Sequence, residues 1–138
     1  MSQYLLDTNI CIHWSKDEFS LRQKIRQVGV ENCFLSELTI AELIYGIAKS
    51  APSKQAANRH SLDILQQLFA GRILLVGTCF EVYGPEKVRL RAIGRPVYDF
   101  DLMIGSTALA HGLTFVTRNT RHFADTSGLV LENWIDAP

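Results

Sequence analysis

Short apolar runs that stop at a polar residue or glycine alternate along this chain with stretches whose apolar positions recur every three or four residues. Tyr4-Leu5-Leu6, ended by Asp7, reads as a buried strand that runs into a polar loop. A short helix follows over Ile10 to Trp14, with Thr8 or Asn9 near its cap. Leu21, Ile25 and Val28 keep helical spacing up to Gly29, and Cys33 to Leu35 is a second strand. Ile40, Leu43, Ile44 and Ile47 form the stripe of a helix over Thr39 to Lys49. A longer helix over Ser53 to Phe69 stops at Gly71, and Ile73 to Val76 is a continuous strand-like run. Phe80 to Ile93 predicts a helix interrupted or restarted at Gly84-Pro85, then a loop at Gly94-Arg95-Pro96. Phe100 to His111 is an apolar, small-residue helix closed by Gly112; Thr114 to Val116 and Val130-Leu131 supply the last strands.

Strands that alternate with helices predict an α/β sandwich around a mostly parallel sheet, in which ligands gather beyond the carboxyl ends of the strands. The length of 138 residues suits one domain spanning 1–138. Lys plus Arg and Asp plus Glu are 14 each, which speaks against a partner held by bulk positive charge but leaves local basic patches open. Cys11, Cys33 and Cys79 are odd in number and widely spaced, as expected of reduced thiols. The start of the chain lacks the pattern of a signal peptide, and no apolar window is long enough to span a bilayer. A cytoplasmic location is expected, with no membrane partner.

Acidic residues fall where the fold class puts its ligands. Asp7 follows the first strand, Glu42 lies in the helix after the second, Asp101 opens the apolar helix just after Asp99, and Asn119 follows the strand Thr114 to Val116. Such an oxygen-only set suits a hard cation such as Mg²⁺ or Mn²⁺, which would make the crowding of carboxylates tolerable. Each residue also has a local explanation. Glu42 completes a capping box with Thr39, Asp99 caps a helix, Asp101 answers a helix dipole, Asp7 makes an Asx-turn with Thr8-Asn9, and Asn119 sits in a turn.

The motifs taken in order carry a resemblance. Leu6-Asp7-Thr8-Asn9-Ile10, Ala41-Glu42-Leu43-Ile44-Tyr45-Gly46, Gly94-Arg95-Pro96 before Phe100-Asp101-Leu102-Met103-Ile104-Gly105, and Thr117-Arg118-Asn119-Thr120-Arg121-His122-Phe123 resemble the PIN-domain ribonucleases. The likeness is closest to the VapC-type toxins of type II (VapBC) toxin–antitoxin pairs and extends to Gly128-Leu129 and Glu132-Asn133-Trp134. It implies an α/β/α sandwich with a central, twisted, mostly parallel sheet of four to five short strands. It implies a Mg²⁺- or Mn²⁺-dependent endoribonuclease in which Asp7, Glu42 and Asp101 hold the metal, Asp7 and Asp101 most directly. Asn119 stands at a fourth site position that is Asp in many members. Thr8, Asn9 and Thr117 match polar residues that support the site, and Gly105 stands where many members have Ala. Gly94-Arg95-Pro96-Val97 resembles members that cut the anticodon stem-loop of initiator tRNA.

Arg118 and Arg121 flank Asn119, and with Arg95 are the candidates for RNA phosphates; Lys87, Arg89 and Arg91 are alternatively a solvated helix face. Trp14 and Tyr45 can stack a base or simply pack, and Trp134 is expected to anchor the C-terminal segment. His13, His60, His111 and His122 are scattered and form no evident pair. Tyr45, Ile47, Leu62 and Phe69 exceed the needs of one inward stripe. By the resemblance, their helices would carry a homodimer surface and a groove for a cognate VapB-type antitoxin. Two other readings remain: a PIN nuclease of RNA maturation, which the lack of an added RNA-binding module disfavours, and an inactive PIN binding module, which intact Asp7, Glu42 and Asp101 disfavour.

Overall fold

The computed structural model describes residues 2–136. Five strands form one parallel sheet: β1 (Tyr4–Leu6), β2 (Cys33–Ser36), β3 (Ile73–Leu74), β4 (Thr114–Val116) and β5 (Leu131–Glu132), in the order β3-β2-β1-β4-β5. β1 lies in the middle, with Leu5 level with Phe34 on one side and Phe115 on the other. Both faces of a parallel sheet are covered by helices, so its strands are apolar without alternation. Leu6, Leu35 and Val116 point into one core, and Leu5 and Phe115 into the other. All of these side chains are fully buried.

The first core is closed by α1 (Thr8–Ser15), α2 (Leu21–Val28), α3 (Glu37–Lys49) and α4 (Pro52–Leu68) through Ile10, Cys11, Leu21, Ile25, Ile40 and Leu62. The second is closed by α6 (Asp99–Ala110) and the four-residue α7 (Thr120–Phe123), which contribute Ile104, Ala108 and Phe123. Phe123 meets Phe115 edge to face at 4.9 Å. α5 (Phe80–Ala92) packs on α6. The three cysteines are free and buried, and among the described residues no helix is long and apolar enough to cross a membrane.

Several elements differ from the pattern-based expectation. α3 starts at Glu37 rather than Thr39, and its cap is Ser36, whose hydroxyl accepts the Leu38 N–H. β3 keeps only Ile73 and Leu74, because Val76 turns away to give its N–H to Glu37 at 2.6 Å and starts a 3-10 turn. α5 runs unbroken through Pro85, and β5 is set one residue later than Val130-Leu131. Leu62 and Phe69 are buried in the first core, not surplus; Phe69 also takes the edge of Trp14 at 5.9 Å, which assigns Trp14 to packing. The apolar residues that α3 and α4 do expose are Ile44, Tyr45, Ile64 and Leu68. Trp134 anchors the C-terminal segment by packing on Tyr4 at 5.1 Å.

Candidate active site

The chain winds from β1 outward to β2 and β3, then returns to add β4 and β5 on the other side of β1. The order reverses beside β1, and an open α/β sheet has its natural crevice at that point. Asp7 stands there. Its N–H continues the ladder to the Val116 carbonyl at 2.9 Å, and its side chain turns into the start of α1 as the cap residue.

Three donors converge on this buried carboxylate. The Thr8 N–H reaches Oδ1 at 2.8 Å, the Thr117 hydroxyl reaches Oδ2 at 2.8 Å, and the Asn9 amide reaches Oδ2 at 3.3 Å. Thr117 lies at the end of β4, so neighbouring strand ends supply both the acid and its partner. The same Thr117 oxygen accepts the Asn119 N–H at 3.1 Å, and Asn9 accepts the Arg118 N–H at 3.3 Å. Thr8, Asn9 and Thr117 therefore tie the loop after β4 to the start of α1.

Glu42 comes from α3. The Thr8 hydroxyl donates to its Oε1 at 2.5 Å and lies 3.1 Å from the Thr39 hydroxyl. Thr8 has one proton and gives it to the carboxylate, so Thr39 is the donor in the second contact. Thr39 is thus buried inside α3 as a support for this network, and the capping-box explanation of Glu42 fails.

Burial is the largest influence on Asp7, and it raises the carboxyl from its ordinary value to about 6 against the pull of its donors; the charges of Asp101 and Glu42 add to the rise. Asp101, half-buried in the first turn of α6, is also raised by burial and is opposed by the charge of His122. Asp7 thus feels the charges of carboxylates from two helices, α3 and α6. The three acids do not close into a finished cage: among the described residues no three His, Cys, Asp or Glu side chains are placed to enclose an ion. This oxygen-only set fits a hydrated cation of the Mg²⁺ type, which keeps several waters and takes only one or two carboxylates directly.

The remaining candidates are distributed unevenly. Asn119 is exposed ahead of α7, and its side chain makes no cap bond. Arg121 is exposed and unpaired among the described residues, whereas Arg118 reaches Asp136 at 3.3 Å. Arg95 is exposed and only loosely paired, 3.8 Å from Asp125. Lys87 is held by Asp99 at 2.8 Å, and Arg89 grips Glu86 with two contacts, so neither is free for a ligand. Asp99 is thereby committed to Lys87 and the Tyr83 hydroxyl. The residue that pattern reading passed over is His122. Its signal is its place three residues after Asn119, on a helical turn too short to show periodicity.

The PIN domain family profile matches residues 4–129, and this chain belongs to that family. The chain is 35% identical to the tRNA(fMet)-specific endonuclease VapC of Shigella flexneri, over 97% of this chain and 99% of that one. It is 34% identical to the ribonuclease VapC2 of Rickettsia felis, over 95% and 97%. Among solved structures, VapBC2 of Rickettsia felis bound to a DNA fragment from its promoter superposes with a TM-score of 0.82 at 32% identity, covering 95% of this chain and 98% of that chain.

Proposed function

We propose that this chain is, as a single PIN domain, the toxin of a type II toxin–antitoxin pair: a Mg²⁺- or Mn²⁺-dependent endoribonuclease that acts in the cytoplasm and stops translation. The observation that carries the reading is Asp7, buried at the carboxyl end of the middle strand and facing the charges of Asp101 and Glu42 from two other elements. Asp7, Asp101 and Glu42 are the residues that would hold the cation, which supplies charge neutralisation at a phosphodiester undergoing attack. Thr117, Thr8 and Asn9 fix the carboxylates by donating to them and so keep their lone pairs aimed at the crevice. Asn119 offers a neutral amide where a carboxylate would add charge. Arg118, Arg121 and Arg95 are the cations available to RNA phosphates.

Initiator tRNA is the substrate we favour, because VapC proteins of Shigella flexneri and Salmonella typhimurium that are 35% and 31% identical carry that specificity in their names. The similar structures from Rickettsia felis and Salmonella typhimurium are VapBC assemblies, which supports a VapB-type antitoxin as partner. The test is cleavage of tRNA with Mg²⁺ or Mn²⁺, with chelator, and by Asp7→Asn. Cleavage by the wild-type protein alone, lost on chelation, is expected. Equal cutting by Asp7→Asn would remove the reaction from this site.

A further inference from the structure

The loop between α1 and α2, the exposed face of α2 and the C-terminal segment flank an open cleft of about 440 Å³. Its walls include Phe19, Gln23, Lys24, Gln27 and Trp134. The loop is built in an unusual way. Asp17, Phe19 and Ser20 all take positive φ, at 55°, 56° and 55°, a region that side chains other than glycine seldom enter. This backbone holds the Phe19 ring out, edge-on to His13 at 5.0 Å and beneath the Arg118 guanidinium at 5.0 Å, with 45% of the residue still exposed. On the other wall, the Lys24 ammonium sits 5.6 Å from the Trp134 ring. Gln23 and Gln27, one turn apart on α2, make no side-chain hydrogen bond to any described residue.

Arg118, whose guanidinium covers the Phe19 ring of the cleft, links it to the acidic site, because its N–H is bonded to Asn9, itself a donor to Asp7. The Arg118 guanidinium rests on Asp136 through two exposed contacts of 3.3 Å. An exposed pair of that length contributes little and yields readily to a phosphate. Aromatic faces, flanking cations and unpaired amides together are the chemistry that receives an unstacked nucleobase.

We propose that this cleft is a base-reading subsite for single-stranded RNA. A nucleotide beside the scissile phosphate stacks its base on the aromatic lining, presents its edge to Gln23 and Gln27, and gives its phosphate to Arg118 in place of Asp136. The position of the scissile phosphate rests on the ribonuclease reading; the binding chemistry does not.

The chain has two tryptophans, so Trp14→Phe leaves Trp134 as the sole reporter. In that background, with Asp7→Asn to stop turnover, single-stranded RNA homotetramers of each base are titrated while Trp134 fluorescence is followed. Quenching is expected to be strongest for one base and about tenfold weaker in Phe19→Leu and in Gln23→Ala/Gln27→Ala, since stacking contributes roughly 1–3 kcal/mol per base. The glutamine changes fall at exposed helical positions, where alanine favours the helix and folding is retained. Cut-site mapping on a randomised RNA should show the same double variant flattening one base preference next to the cut. Quenching without any cutting by the wild-type protein would sink the ribonuclease reading and leave the subsite standing. Cutting with no response of Trp134 to any tetramer, or with quenching and base preference unchanged in the variants, would overturn the subsite and leave the cleft to a protein segment.

Discussion

Asp7 is where opposing forces are largest for a single residue. Three donors stabilise its anion, yet burial and two neighbouring acids hold the carboxyl at about 6. An acid whose folded value lies above its unfolded one binds more protons folded than unfolded between the two values, so stability falls as pH rises through that window. Metal-free protein should lose up to about 3 kcal/mol between about pH 4 and pH 6 and stay at the lower level above. Asp7→Asn should flatten that slope and be more stable than wild type at pH 7 in EDTA by roughly 1–2 kcal/mol, a partial gain because an amide replaces one acceptor by a donor. Urea melts across pH measure this, and a parallel pH slope in the variant would refute it. Thr117→Val removes the hydroxyl that donates to Asp7 and accepts from Asn119. One hydrogen bond of about 1 kcal/mol corresponds to somewhat less than one pH unit. The acid limb of the cleavage profile should therefore move up by about that much, with the rate at pH 7 reduced by less than about twofold and the loss growing toward pH 6. A limb that stays put would show that Thr117 does not tune the carboxylate.

At the scale of elements, α6 and α7 meet so closely that composition at one position decides the fit. A Cβ added at Gly105 would lie 3.0 Å and 3.2 Å from the Phe123 ring. Gly105→Ala gains about 1 kcal/mol of helix propensity and gives most of it back by displacing that ring, so the net change should be under 1 kcal/mol. Gly105→Val adds bulk that the ring cannot absorb and should cost about 2 kcal/mol by denaturant unfolding, with activity falling because α7 follows Asn119 directly. A neutral valine would mean that the two helices have slack. Helices with long apolar stripes and the middle strands were legible in the sequence, and so was the place of Asp7 at the carboxyl end of the first strand, where the charges of Asp101 and Glu42 act on it. The start of α3 was not: Ser36 and Thr39 are both good caps, and the choice is made by β2, whose pairing runs to Ser36 opposite Leu74. Nor was α7, because four residues show no period. His122 was hidden with it, and so was the Val76 turn, which depends on a side chain 39 residues away.

Viewed whole, the molecule is neutral and its two cores are complete, yet α3 and α4 keep Ile44 43%, Tyr45 66%, Ile64 51% and Leu68 42% exposed. These residues do not stabilise the single copy, since each already spends much of its surface in water. Apolar side chains gathered on two packed helices are the material of an interface. The homodimer expected from the sequence would use them, and so would an antitoxin helix laid across the same surface. The two uses can be separated by where a charge is placed and which assembly is weighed. Ile44→Glu sits on an exposed helix position, so folding stability should change by no more than about 0.5 kcal/mol. Burying an unpaired carboxylate in an interface costs several kcal/mol, so the dissociation constant of the dimer should weaken by at least about thirtyfold. Sedimentation of the purified chain at micromolar concentration should then give a dimer for the wild type and a monomer for Ile44→Glu, with overlapping thermal melts after correction for concentration. If both proteins sediment as monomers, the exposed stripe belongs to the antitoxin alone; if both are dimers, the copies meet through another face.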